Sequence, residues 1–197
     1  MAITILSASF TGMNSYIVSV EVEIFNGLPG FSIVGMGDTA IIESRERIKS
    51  SLKNIDVIFP AKKVIVNLSP ADIRKKGSQF DLSICTGILA NLGYIKNMPR
   101  LKKYLILGEL SLNGDIKSCK GIINAVILAK NNNLEGIIIP YDNYREASLI
   151  KGIKIIPVKN LTDVFRFLNE GQYYTLNNTE PTSKTYTDAI DFSDIKR

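Results

Sequence analysis

The chain of 197 residues contains no histidine and no tryptophan, and only two cysteines. Without histidine there is no Ser-His-Asp triad and no Cys-His pair, so nucleophilic catalysis would have to run through a Ser-Lys, Thr-Lys or carboxylate arrangement. Cys85 and Cys119 stand far apart with no C-x-x-C spacing. Zinc sites of the usual type and a disulfide framework are therefore excluded, and no metal-ligand set stands out. No apolar run approaches the ~20 residues that span a bilayer. The opening MAITILSASF has neither a basic stretch nor a small-residue cleavage site, which argues against a secretory signal. No G-x-x-x-x-G-K-[ST] occurs, so the chain holds no P-loop. A cytoplasmic protein without a membrane partner is expected.

What is present is an ordinary globular composition, 45% hydrophobic and 22% charged, enough for one well-cored domain. The net charge of +5 is concentrated. Residues 43–76 carry nine basic and four acidic side chains, a surplus equal to that of the whole chain. Such a block points to a polyanionic partner. Arg45, Lys49 and Lys53 repeat every four residues and share one helix face. Lys62, Lys63, Arg74, Lys75 and Lys76 join them as candidate nucleic-acid contacts if the fold gathers them. A solvated face partly neutralised by Glu43 and Glu46 is the plainer reading, and no aromatic residues interleave with these cations for base stacking.

Periodicity predicts strands over Ile3–Phe10, Tyr16–Ile24, Phe31–Val34 and Lys63–Leu68, the second alternating cleanly between valine and polar residues. A helix capped by Asp38 or Thr39 runs to about Asn54. A second helix, from about Gln79 to Leu92, is apolar on nearly every side and so belongs in the interior. Tyr104–Leu110 and Asp115–Lys117 flank Asn113-Gly114, the signal of a primed-turn hairpin. Helix Gly121–Lys130, strand Gly136–Pro140, helix Asn143–Ile150, strand Lys154–Val158 and helix Leu161–Leu168 complete a mixed α/β (α+β) domain. Residues 170–190 read as a polar linker.

Two stretches invite a sharper chemistry. Ser78, just after Lys75 and Lys76 and before the apolar helix, is placed for a Ser-Lys nucleophile; Ser78-Gln79-Phe80-Asp81 is equally an S-x-x-D capping box. A lysine base has to be neutral, hence buried, and a polar loop rich in cations is a poor place for that. Capping is the preferred reading. Gly35-Met36-Gly37-Asp38-Thr39-Ala40 matches the dinucleotide pattern G-x-G-x-x-A. Against it, Asp38 sets a negative charge where a pyrophosphate would lie, and the next strand ends at Asn67-Leu68 without the acidic residue that holds a ribose.

Three segments together, GLPGFSIVGMGDTAIIESRERIKSSLKN (27–54), FPAKKVIVNLSPADIRKKGSQFDLSICTGILANLG (59–93) and GELSLNGDIKSCKGIINAVILAK (108–130), resemble the N-terminal domain of the magnesium-chelatase-like AAA+ ATPases of the YifB/ComM competence-protein family. Met36-Gly37-Asp38 replaces that family's usual Leu-Pro-Asp, and Asp81-Leu82-Ser83 its Asp-Leu-Pro. The resemblance implies a ribosomal S5 domain 2-like, Lon-protease-type fold over residues 1–169, with 191–197 as the start of an AAA+ module. It implies a hexamer-forming, ATP- and Mg-dependent protein that remodels DNA, including branch migration in natural transformation, with ATP chemistry outside this chain. Lon's nucleophile follows Gly-Pro at the head of a buried helix; the matching turn is Gly77-Ser78-Gln79, which sets Gln79 at that position and Ser78 about 100° away. The place of Lon's lysine falls on Ile123, with Lys120 three residues off. The resemblance thus implies a non-catalytic domain, a DNA-guiding or oligomerisation collar; a Ser-Lys peptidase and a pure oligomerisation module are the alternatives.

Overall fold

The computed structural model describes residues 1–12 and 14–175. Most of the expected linker and the expected module start at 191–197 lie outside the described residues. Seven strands form one mixed sheet in the order β3-β4-β2-β1-β5-β8-β9. They are β1 (Ile3–Thr11), β2 (Asn14–Phe25), β3 (Gly30–Val34), β4 (Lys63–Ser69), β5 (Tyr104–Ile106), β8 (Gly136–Pro140) and β9 (Lys154–Val158). A separate pair, β6 (Glu109–Leu110) and β7 (Ile116–Lys117), is antiparallel. The helices are α1 (Thr39–Lys53), α2 (Asp81–Asn91), α3 (Met98–Leu101), α4 (Ile122–Asn131), α5 (Tyr144–Ala147) and α6 (Leu161–Phe165). The expected α/β class is the observed one.

Alternation explains the layering. In β2, Val18, Val20 and Val22 are fully buried and meet Ile5 of β1 and Val66 and Leu68 of β4 in one core. That core is closed by α1 through Ile41, Ile48 and Leu52, by α2, and by α6 through Leu161 and Val164. The opposite face of the sheet's other half is closed by α4, whose Ile122, Ala125, Val126 and Ala129 pack on Leu105, Ile137 and Ile139. Ile138 points the other way, into the first core. The unbroken apolar run Ile137-Ile138-Ile139 is what a parallel strand covered on both faces requires.

Several expectations are corrected. The strand expected over Tyr104–Leu110 is two strands: Leu107 N–H still donates to Ile138 at 3.1 Å, but Gly108 N–H turns to Gln79 at 3.0 Å. β5 therefore stays with the sheet while β6 leaves it. The hairpin exists without the tight primed turn, because only Gly114 takes a positive φ and Asn113 does not. Five residues, 111–115, close it, with Ser111 N–H donating to Asp115 at 2.9 Å. The helix expected at Gln79 begins as a single 3-10 turn over Ser78–Phe80, and α2 proper starts at Asp81. The last two expected helices are also shorter, α6 giving way to a π-helical turn over Arg166–Glu170.

Candidate functional site

Helix α1 connects two parallel neighbours, β3 and β4, so its ends mark the two ends of one sheet edge. At the end where β3 finishes, two loops are zipped together. Asp38 N–H donates to the Lys75 carbonyl at 3.1 Å and Lys75 N–H to Met36 at 3.0 Å. Asp38 accepts from Ile41 N–H at 3.1 Å through one oxygen and from Gly77 N–H at 3.1 Å through the other. The expected cap is therefore Asp38, and its carboxylate already fills the position a phosphate would take at this helix N-terminus. The G-x-G-x-x-A stretch is a loop-to-loop clasp.

Gly77 has φ +95°, and an added Cβ would fall 2.3 Å from the Gln79 side-chain oxygen, so this turn requires glycine. Beyond it, the capping box does not form. Ser78 Oγ donates to the Glu109 carboxylate, and neither the 3-10 turn nor α2 has a side-chain cap at its N-terminus. Asp81, 1% exposed, accepts from Arg47 Nε at 2.6 Å, from Arg47 Nη2 at 3.1 Å and from Leu110 N–H at 3.2 Å. Arg47 also donates to Ala40 O at 3.0 Å. One buried ion pair thus ties α1, the head of α2 and β6 together. Burial pushes the Asp81 carboxyl up to about 6 even against the pull of Arg47, and the hydrogen bond to Asp81 raises the Arg47 guanidinium further. The pair was not anticipated; its one signal was a carboxylate at the start of an otherwise apolar helix.

Of the two residues expected to stand at the positions of a Ser-Lys dyad, Gln79 is nearly buried and donates from Nε2 to Lys76 O at 2.8 Å. Ile123, in the first turn of α4, is 37% exposed. Lys75 is fully buried, and its ammonium donates to the carbonyls of Gly35 (3.1 Å) and Pro70. Burial lowers its pKa. The Ser78 hydroxyl thus faces a carboxylate, while the one buried lysine ammonium of this loop is spent on two backbone oxygens. Burial likewise pushes the Cys119 thiol up to about 12 and the Cys85 thiol upward, which leaves neither as a ready thiolate.

The cations expected to form one block divide. Lys53, Lys62, Arg74 and Lys76 are exposed, and Lys63 is half-buried beside Gly30. Arg45 is half-buried and donates to the backbone carbonyls of Ile42 (3.0 Å) and Phe31 (3.2 Å). Lys49 pairs with Glu46 at 3.1 Å and lies 5.9 Å from the Phe59 ring centre. Lys75, being interior, leaves the candidate set, because the clasp with Gly35–Asp38 pulls it inward. The rest follow the β3–α1 edge from one end to the other. Lys53, Lys62 and Lys63 sit where β4 begins, and Arg74 and Lys76 where β3 ends. The 15 residues of α1 separate these ends by about 22 Å at 1.5 Å per residue. Among the described residues no group of histidine, cysteine or carboxylate side chains is placed to hold a metal ion. No helix among them is long and apolar enough to cross a membrane.

Comparison with known proteins agrees with this architecture. The family described as subunit ChlI of Mg-chelatase matches residues 20–143. The chain is similar to competence protein ComM of Haemophilus influenzae, 36% identical over 165 residues that make up 84% of this chain and 32% of that protein. It is similar to the uncharacterized protein YifB of Escherichia coli, 36% identical over 171 residues, 87% of this chain and 33% of that protein. A more distant likeness, 26% over 170 residues, links it to Lon protease of Aster yellows witches'-broom phytoplasma, covering 80% of this chain and 21% of the protease. The chain therefore spans about a third of the length of ComM and YifB.

Proposed function

The chain belongs to the family of subunit ChlI of Mg-chelatase, and from that membership we propose that it is a non-catalytic, Lon-protease-like domain that guides DNA along its β3–α1 edge. The single observation that carries the reading is the row of exposed cations on that edge: Lys53 and Lys62 at one end, Arg74 and Lys76 at the other. A span of about 22 Å is several phosphates of one strand, at ~3.4 Å of helix axis per strand charge. Exposed lysine and arginine heads suit sequence-independent contact with the phosphate backbone. The domain serves as a collar on a hexameric AAA+ motor in the cytoplasm. ATP and Mg²⁺ belong to that motor and not to this chain, which has no P-loop sequence. Competence and DNA branch migration are the activities this assignment gives the whole protein. Support for the non-catalytic role comes from glutamine and isoleucine standing at the two dyad positions and from Glu109, not an ammonium, facing Ser78. A peptidase assay on an unfolded protein substrate is expected to show no turnover above buffer.

The deciding experiment is a titration of the purified chain against a fluorescent duplex of about 25 base pairs while salt is raised. Binding at low salt that weakens linearly on a log–log plot is expected, with a slope of about −0.9 per phosphate contact. No binding at low salt rejects the DNA role. Self-association without binding would favour the pure oligomerisation module instead.

A further inference from the structure

A separate aromatic cluster with cations beside it stands at the far end of the sheet. After the π-helical turn, the segment at 171–175 returns along β9 and walls a cleft of about 300 Å³. Tyr173 and Tyr174 line it from this segment, Tyr144 from α5 and Ser148 from just after it, Lys151 from the loop before β9 and Lys154 from the start of β9. The volume is at the lower end of ligand-sized clefts, about right for one planar ring system with a charged group at its rim.

The rings are held in place before any ligand arrives. Tyr173 meets Phe167 edge to face at 5.7 Å, and Tyr174 meets Tyr141 at 6.0 Å while donating from its hydroxyl to Asp163 at 3.2 Å. Lys159 lies 4.2 Å from the Tyr141 ring centre and 5.3 Å from that of Tyr174. Both Tyr173 and Tyr174 nonetheless remain 39% exposed. Rigid aromatic surface of this kind loses little conformational freedom on binding. The cations are placed as well. Lys130 Nζ donates to Lys151 O at 2.7 Å, which brings a third ammonium to the rim beside Gly152. Lys154 is shared with Glu135 at 3.4 Å, so Lys130 and Lys151 supply the uncompensated charge. Among the described residues no carboxylate lines the cleft.

We propose that this cleft binds single-stranded nucleic acid, one unpaired base lying against Tyr173 with its flanking phosphates on Lys151 and Lys130. A duplex cannot supply such a base without unpairing, whereas single strands combine stacking on aromatic rings with a cationic track. The site goes beyond the duplex-guiding edge, which lies at the opposite end of the sheet, and the two fail separately.

The test uses a labelled oligothymidine of about 12 nucleotides and the whole chain, read by fluorescence anisotropy at low salt. Tyr173→Leu is expected to weaken binding by about fivefold to a hundredfold, the range of one base–aromatic stack. Tyr173→Phe keeps the ring and is expected to bind like the parent chain. Lys151→Glu, an exposed change that does not depend on the packing of Tyr173, is expected to weaken binding and flatten its salt dependence. Charge reversal of Lys62, Arg74 and Lys76 is expected to lower duplex affinity and leave oligothymidine binding unchanged. The proposal is overturned if oligothymidine does not bind, if Tyr173→Leu and Lys151→Glu bind as the parent does, or if only the edge variant loses the oligonucleotide.

Discussion

Replacing Arg47 with methionine is expected to cost the fold about 3–5 kcal/mol near pH 8 and clearly less near pH 5. Asp81 is almost wholly enclosed and takes two of its three hydrogen bonds from Arg47. Without the guanidinium, a buried carboxylate keeps only the Leu110 amide, and the uncompensated charge is what destabilises. The pH dependence follows from the direction of the shift. Burial has raised the folded Asp81 carboxyl to about 6, above its unfolded value of about 3.9. A raised carboxyl costs the fold stability above its folded pKa; the cost fades as pH falls through that value and is gone below the unfolded one. Removing Arg47 deletes two of the three influences that hold the carboxyl down and leaves the Leu110 amide, so the folded pKa climbs further and the cost goes on growing with pH through neutrality. Parent and variant should therefore converge as pH drops. Urea unfolding at pH 8, 6.5 and 5 reads this as a change in midpoint. Adding Asp81→Asn to the variant should recover part of the loss at pH 8 and little at pH 5. A penalty equal at both ends of the range, or below about 1 kcal/mol, would show that the pair behaves as a surface salt bridge.

Reversing Lys53, Lys62, Arg74 and Lys76 together to glutamate is the change with the largest expected effect on function. Contacts to phosphate act mainly by releasing condensed counterions, so 6–10 of them weaken binding by ~10³–10⁵ between 50 and 200 mM salt. Removing four contacts and adding repulsion should lower duplex affinity by at least about a hundredfold at 50 mM salt and shrink the salt slope by about 3–4. All four side chains are exposed, so stability should change little. Arg45 and Lys49 are a sharper comparison, because both belong to the same charge block by sequence. Arg45 spends its guanidinium on two carbonyls and Lys49 its ammonium on Glu46. Reversing those two should matter less per residue than reversing Arg74 and Lys76. Equal losses from both sets would mean that overall charge, and not the edge, determines binding.

Where a local rule acted alone, the sequence was readable. The alternation of β2, the Asp38 cap and the all-round apolar character of α2 each follow from residues within one segment, and each has its expected counterpart in the structure. The misreadings share a cause: a partner distant in sequence outcompetes the local one. Ser78 had a helix end to cap and went to Glu109, 31 residues away; Asp81 had the same opportunity and went to Arg47, 34 residues away. Arg74, Lys75 and Lys76 are three adjacent cations with nothing in sequence to distinguish them, yet pairing with the Gly35–Asp38 loop turns the middle one inward. The aromatic cleft was invisible for the same reason. Its tyrosines stand at 144, 173 and 174 and its lysines at 130, 151 and 154, and only the return of the chain along β9 assembles them. Gln79 and Ile123 were legible from the sequence as replacements for a Ser-Lys dyad, whereas the Ser78–Glu109 contact and the burial of Lys75 exist only in the folded chain.

The most direct measurement is photocrosslinking of the chain to a duplex carrying a reactive base analogue, followed by peptide mapping. Crosslinks on peptides from residues 43–53 and 61–76 are the expected result. Crosslinks confined to the head of α2 around Gln79 and to Ile123, or none on the β3–α1 edge, would contradict the account.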